Sequence, residues 1–266
     1  MKNQNPLVSI VTPSFNQVHF LKDTIESVLQ QDYSPIEYIV VDGGSTDGSV
    51  ELLKTYGNRI DWVSEKDRGQ SNGINKGFRK AKGEIIGWIN SDDTYEPGAI
   101  RRAVDFLQKN PDIDVVYSDC NIILKDGRNN GVIRTQEFDM YKQLNHGNII
   151  PQPTAFFRKR VFGEIGYLDE KLHYAMDYDF WTRIGKKLKI KKMKGEILAN
   201  FRMYPESKSI SHYHLFWPEI YEISLRNSGE RYSRMYFFHY LRWMNKVFFG
   251  SPLYSFIRDV HLRLRG

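Results

Sequence analysis

The chemistry in this chain is most concentrated where an apolar run meets two adjacent acids, in the segment Gly83–Asp93, GEIIGWINSDD. Asp92 and Asp93 set two like charges side by side at a strand end, and without a cation one of them must take up a proton. Oxygen ligands with no Cys or His beside them select a hard ion such as Mg²⁺ or Mn²⁺, and such ions favour phosphate-bearing substrates. Two surface acids on a solvated loop are the competing reading. Asp42 in DGGS, Asp67 in DRGQS and Asp177 in MDYD are further carboxylates at turns or helix starts.

Elements must carry these acids to one place. Leu7–Val11 reads as a buried strand, and Val18, Leu21, Ile25, Val28 and Leu29 then share one helical face. Ile36–Val41 is a second strand, and Thr46 or Asp47 is placed to cap a helix through Tyr56. Ile60–Val63 is a third strand, followed by a helix over Gln70–Ala81 with Ile74, Gly77 and Phe78 inward. Gly83–Ile89 is the fourth strand, Pro97 opens a helix to about Gln108, and Asp114–Ser118 is the fifth strand. The alternation predicts an α/β sheet with helices on both faces, whose ligands gather at the carboxyl ends of the strands. Pro13–Asn16, Asp42–Ser45, Asp67–Ser71 and Asn90–Asp93 all follow strands, so they are expected to converge on one edge.

After residue 120 the pattern changes. KDGR at Lys125–Arg128 reads as a hairpin turn, Pro151–Arg158 as a strand, Lys159–Gly166 as a short helix and Asp177–Lys186 as a helix. Gly185–Gly195 sets six lysines around Leu188, Ile190 and Met193, the pattern of an exposed strand with a solvated basic face rather than a nucleic-acid site. Asp179 and Arg183 are four residues apart, which predicts an ion pair on a helix surface.

The 266 residues suffice for one large domain and an appendage. The single Cys120 excludes an internal disulfide framework, fits a reducing compartment and reads as packing rather than a nucleophile. MKNQNP leads straight into a strand, so no signal peptide is expected, and no apolar run reaches the length of a membrane span. From Arg226 to Gly266 eight Lys/Arg face two Asp/Glu, a surplus equal to the +6 of the whole chain. The same tail holds ten of the aromatic residues.

No GxxxxGK[ST] occurs, and TPSFN rather than GxGxxG follows the first strand, so neither a P-loop nor a dinucleotide fingerprint is present. The blocks VSIVTPSFNQ, IVVDGGSTDGS, EKDRGQSNGINKG, AKGEIIGWINSDD and YAMDYDFWTRI stand in the order and spacing of family 2 glycosyltransferases, and the resemblance covers roughly residues 6–210. It implies an inverting enzyme of the GT-A fold, a Rossmann-like nucleotide-binding sheet with mixed strands in its C-terminal half. On this reading residues 1–210 form the transferase domain and 211–266 a basic, aromatic helical tail.

The resemblance also implies roles. Pro13 and Phe15 match a loop bordering the nucleotide base, Asp42 an acid that contacts the base, and Asp67 and Arg68 a loop that faces the nucleotide. Asp92 falls near ribose and metal and Asp93 at the direct Mn²⁺ or Mg²⁺ ligand, with Asn90 in place of the first Asp of Asp-x-Asp. Asp177 matches the catalytic base, with Met176 in place of the usual Glu, although a carboxylate there is also a good helix cap. Arg202 and Lys208, in FRMYPESKSIS, match a loop that closes over the diphosphate.

The implied reaction moves a sugar from a nucleoside-diphosphate-sugar, a UDP-sugar first of all, to a hydroxyl of a glycan or lipid-linked acceptor in surface-polysaccharide or lipopolysaccharide synthesis. Arg231–Arg265 interleaves arginines with aromatics and reads as an interfacial helix pair on an anionic membrane surface, against packing on the core or nucleic-acid binding. Together these point to a cytoplasmic protein, with the tail as a means of peripheral attachment to the inner face of the cell membrane. A sugar-nucleotide nucleotidyltransferase and a non-catalytic sugar- or nucleic-acid-binding protein are the alternatives. The first would carry a glycine-rich basic loop after the first strand, and the second would have no need of Asp177.

Overall fold

A computed structural model describes residues 5–228. The chain opens with β1 (Val8–Ser14), α1 (Val18–Leu29), β2 (Ile36–Asp42), α2 (Ser49–Thr55), β3 (Asp61–Ser64), α3 (Gln70–Lys80) and β4 (Ile85–Trp88). β5 (Thr94–Tyr95), α4 (Ala99–Lys109), β6 (Val115–Ile123), β7 (Asn129–Ile133) and α5 (Met140–His146) follow. β8 (Phe156–Arg158), α6 (Val161–Ile165), α7 (Met176–Lys187), β9 (Ile190–Arg202), α8 (Lys208–Ser211) and α9 (Tyr213–Ser228) complete the described chain.

One sheet runs in the order β3-β2-β1-β4-β8-β6-β9-β5, with β7 paired to β6. Its first four strands are parallel, and β8 enters antiparallel between β4 and β6. Every residue of β1 is buried, as a strand covered on both faces requires. The apolar helix faces read from sequence pack there: Leu21, Ile25 and Val28 of α1 and Ile74 of α3 are fully buried. Gly77 lets α3 close on the sheet, since a Cβ there would stand 2.4 Å from Val11 Cγ1.

β1 runs on through Pro13, past the five residues expected from sequence. Its pairing with β4 ends at Val11↔Trp88, so the N–H that Pro13 lacks interrupts no pairing on that side. Only Phe156–Arg158 of the segment expected as a strand is one; Gln152–Thr154 is a single 3₁₀ turn. The basic segment expected as one strand is split: residues 185–187 end α7, and only residues 190–195 lie on β9, paired parallel to β6, with Met193 buried. Cys120 is buried within β6, its Sγ 3.2 Å from the Ala199 carbonyl, and burial pushes its thiol pKa up.

Aromatics lock the C-terminal half together. Phe157 of β8 meets Phe78 of α3 at 5.8 Å and Phe180 of α7 at 5.6 Å between ring centroids. All three are buried, and truncating such a ring to Ala costs about 3–5 kcal/mol. The boundary expected at residue 210 falls inside α8, and α9 beyond it packs on the sheet domain: Ile223 and Ser224 are buried, and Ser224 Oγ donates to the Leu144 carbonyl of α5. Asp179, expected on a helix surface, is fully buried between Arg183, at 2.7 Å, and Arg226 of α9, because α9 covers that face of α7. Residues 229–266, which hold most of the tail, lie outside the described residues. Among those described, no helix is long and apolar enough to cross a membrane.

Candidate active site

The loops after β1, β2, β3 and β4 meet at one edge. Asn16 N donates to Ser45 Oγ and Asn16 Oδ1 accepts from Thr46 N, joining the first loop to the second. Glu65 N donates to the Asp42 carbonyl, joining the second to the third. Gln70 Nε2 donates to Asn90 Oδ1 at 3.0 Å, joining the third to the fourth.

Asp42 is fully buried at the end of β2. Its carboxylate accepts from Gly44 N, Ser45 N, Ser45 Oγ and Ser64 Oγ. With three donors on Oδ2 and one on Oδ1 it builds the loop, and the acceptor capacity left on Oδ1 is what remains for the base contact expected of it. Gly43 next to it is closely covered. A Cβ there would stand 2.7 Å from Asp67 Oδ2 and 3.4 Å from Phe15 Cδ2. The Asp67 carboxylate therefore occupies the space of a residue-43 side chain, with Gly69 N donating to its Oδ1. Phe15 beside it is 59% exposed, an open ring face of the kind on which a base stacks. Pro13 is buried in the strand behind it. Arg68 turns away, its guanidinium 2.6 Å from Glu170.

The two adjacent acids are not equivalent. Asp93 is fully buried: Oδ1 accepts from Arg202 N at 2.9 Å, Oδ2 lies 3.5 Å from Asn90 Nδ2, and its carbonyl accepts from Thr24 Oγ1. Burial, then the charge of Asp92, holds its pKa well above the ordinary range. Asp93 is thus a post joining β9 to the loop after β4 through Oδ1, and its Oδ2, with only the long Asn90 contact, is the oxygen left for the metal-ligand role expected of it. Asp92 is only half-buried, and its Oδ2 accepts the Tyr204 hydroxyl at 2.9 Å. Burial raises its pKa too, partly offset by that hydrogen bond.

Arg202 is 3% exposed, with its donors spent on the Asp92, Leu124 and Lys125 carbonyls and on Asp23, and its guanidinium sits over the Phe20 ring. The expected phosphate contact is corrected: it is a strut under the loops. Lys208 reaches inward. Its Nζ donates to Gln70 Oε1 at 3.0 Å and to the His173 carbonyl. Burial lowers its pKa, while Glu219 and Asp177 pull it back up.

Asp177 stands in the first turn of α7, half-buried, with Asn148 Nδ2 donating to its Oδ2 at 2.7 Å. Burial raises its carboxyl to about 6, against hydrogen bonds from backbone amides and Asn148 and the charge of Lys208. A carboxylate poised there is mostly ionised at neutral pH yet basic enough to take a proton. Lys208 links it to the acids: Lys208 to Gln70, Gln70 to Asn90, Asn90 to Asp93. Asn90 also donates to Gln152 Oε1, while Trp88 Nε1 donates to Asn90 Oδ1.

Sequence reasoning did not find Gln70, Asn148, Gln152 or Glu219. Gln70 lay inside a quoted motif. Asn148 and Glu219 carry no local signal, because their partners are distant in sequence.

Among the described residues no three His, Cys, Asp or Glu side chains cluster as a metal cage. The donor set nonetheless fits a hard cation. Asp92 and Asp93 are adjacent desolvated carboxylates, and the nearest guanidinium, Arg202, bonds the Asp92 carbonyl rather than its carboxylate. A Mg²⁺-type ion needs only one or two protein carboxylates when a substrate supplies phosphate oxygens.

A curled α/β sheet with loop-borne acids at its carboxyl edge is the GT-A architecture of glycosyltransferases. The model of glycosyl transferase family 2 matches residues 9–166, and the chain belongs to that family. It is 31% identical over 192 residues to an uncharacterized glycosyltransferase of Rickettsia typhi, a match covering 67% of this chain and 58% of that one. The chain thus spans little more than half of that relative's length. It is 28% identical to TuaG of Bacillus subtilis, a putative teichuronic acid biosynthesis glycosyltransferase, over 79% of this chain and 84% of TuaG.

Among solved structures, S. aureus TarS 1–349 with UDP-GlcNAc superposes with a TM-score of 0.65 at 18% identity, over 90% of this chain and 72% of that one. The Pyrobaculum calidifontis mannosyltransferase PcManGT, with GDP-Man and Mn²⁺, reaches 0.66 at 15% identity, over 98% and 81%. Both show the fold.

Proposed function

We propose that this chain is an inverting glycosyltransferase, moving a sugar from a nucleoside-diphosphate-sugar to a hydroxyl of a glycan or lipid-linked acceptor. The observation that carries the reading is that the half-buried acids Asp92 and Asp177 belong to two loop systems joined through Lys208, Gln70 and Asn90. The nucleotide sugars bound in the two solved neighbours, UDP-GlcNAc and GDP-Man, support the donor class, within which a UDP-sugar is tried first. TuaG and an E. coli chondroitin synthase, 28% identical over 68% of this chain, support a polysaccharide acceptor.

In this reading the base stacks on Phe15 and is read by Asp67. Asp92, with Asp93 Oδ2 beside it, would hold Mn²⁺ or Mg²⁺, which when bound would supply Lewis-acid stabilisation of the departing diphosphate. Lys208 adds positive charge on the same side of the cleft. Asp177 removes the acceptor proton as the new C–O bond forms, a contribution of typically ~10²–10⁴ in rate. Attack on the face opposite the leaving diphosphate inverts the anomeric centre, and the sugar is never bonded to the enzyme. The domain extends through α9, and the remainder of the basic tail attaches it to an anionic membrane surface on the cytoplasmic side.

A panel of nucleotide sugars, assayed for nucleoside-diphosphate release with and without Mn²⁺ in the presence of glycan acceptors, tests this. Metal-stimulated release from one donor is the expected result. Release from none, with retained sugar binding, would point to a binding protein.

A further inference from the structure

α7 starts without a cap of its own. Its N-cap is Ala175, among the poorest residues at that position, and no side chain of the preceding turn bonds the helix start. Three successive backbone amides just ahead of it turn instead toward one side chain. His173 N donates to Glu219 Oε1, and Tyr174 N and Ala175 N donate to Glu219 Oε2, each at 2.8 Å. Consecutive amides converging in this way form an anion-binding nest, and charge-assisted bonds of this kind are about twice as strong as neutral ones. The anion here is supplied by α9, more than 40 residues further along the chain.

The opposite side of the same turn is also held: the His173 carbonyl accepts from Lys208 Nζ, which also lies over the Tyr174 ring, 5.1 Å from its centroid. The residue two positions beyond this double clamp is Asp177. We infer that Glu219 is a positioning residue: by gripping the amides of residues 173–175 it fixes where α7 begins and holds the Asp177 carboxylate in its enclosed place against Asn148. The inference rests on the reading of Asp177 as the base.

α9 itself is locked to α7 independently, through Arg226 on buried Asp179 and through Ile223 in the core. Removing the Glu219 charge therefore loosens the turn without freeing the helix. The groups facing Asp177 are Asn148 from the loop after α5 and Lys208 from α8, with Glu219 of α9 behind Lys208; Tyr174 and His212, whose rings stack at 6.1 Å, flank the turn. A loosened turn admits water to Asp177 and relaxes its carboxyl toward the ordinary range.

The test uses the full chain and the donor that gives most nucleoside-diphosphate release in the panel. Wild type, Glu219→Gln, Glu219→Asp and Asp177→Asn are compared for kcat across pH, for donor affinity by intrinsic fluorescence, and for thermal midpoint. Expected for Glu219→Gln are a roughly tenfold fall in kcat, a shift of the acid limb to lower pH by half a unit or more, and donor affinity within twofold. Glu219→Asp should lie between, and it reads the same limb should Glu219→Gln not fold. A wild-type limb in both Glu219 variants, with kcat unchanged or reduced equally at every pH, overturns the inference. If Asp177→Asn turns over at the wild-type rate, the base assignment fails instead. An inactive Asp177→Asn beside wild-type-like Glu219 variants sinks only the role of Glu219.

Discussion

On the proposed reading, the donor half of the sheet and the acceptor side of the cleft use the same chemical group in opposite ways. On the donor side Asp42 and Asp93 are fully buried and bonded to amides and hydroxyls, some from other strands such as Ser64 of β3 and Arg202 of β9, so they shape the edge. On the acceptor side Asp177 is half-buried, bonded by one side-chain amide and raised to about 6. Burial alone therefore does not mark a working acid. A carboxylate tied between elements by firm backbone donors is first of all scaffold, and one with most of its capacity spare in a desolvated cleft is available for chemistry. Asp92 belongs with Asp177 in this respect, although it adjoins Asp93 in sequence.

The contrast can be broken by substitution. The largest effect expected is from Asp177→Asn, which should lower transfer by about 10²–10⁴ while leaving donor affinity near wild type, read from single-turnover rates and donor titration. Next comes the adjacent pair. Asp92→Asn should weaken Mn²⁺ dependence of donor binding more than tenfold with little change in thermal stability, whereas Asp93→Ala should unfold the protein earlier, by about 2–4 kcal/mol, through the lost bond to β9. Equal loss of metal response in a stable Asp93→Ala protein would reverse the assignment of the two acids.

Arg202→Met should act on stability as well, by about 2–4 kcal/mol in denaturant titration, because several carbonyls and Asp23 lose their donor together. A stable variant with a selective loss of diphosphate affinity would restore the phosphate role. The smallest effect concerns Glu170. Burial alone would raise its carboxyl, but donors from Asn75, Asn72, Arg68 and Arg79 hold it down at about 2. Its folded-state pKa lies below the unfolded value, so its stabilisation is present above about pH 4.5 and is lost as pH falls toward 2. With solvent screening this is worth about 1–2 kcal/mol, and Glu170→Gln should flatten that part of the stability–pH curve by as much.

The donor half was largely legible in the sequence. Its strands are continuous apolar runs, its helices carry one apolar face each, and its turns hold Gly and Asp at the strand ends, all local signals. The ordered motif blocks led to the family and to the neighbourhood of Asp92 and Asp177. Which acid works and which supports was not legible, because the deciding partners are remote. Asp93 is claimed by an amide 109 residues away, and Arg202 by Asp23 179 residues away. The buried state of Asp179 depends on α9, and nothing in YAMDYDFWTRI announces it. β1 outran the five apolar residues that marked it in the sequence, because Pro13 sits where the pairing with β4 has already stopped.

The central claim, that Asp177 takes the acceptor proton, is tested most directly by the pH dependence of nucleoside-diphosphate release under single-turnover conditions, in wild type and Asp177→Asn with the same donor and acceptor. In wild type the rate should climb as Asp177 ionises through about pH 6 and level above it. The variant should show a flat profile at least 100-fold lower. A variant that keeps both the wild-type rate and the same rise near pH 6 would contradict the account.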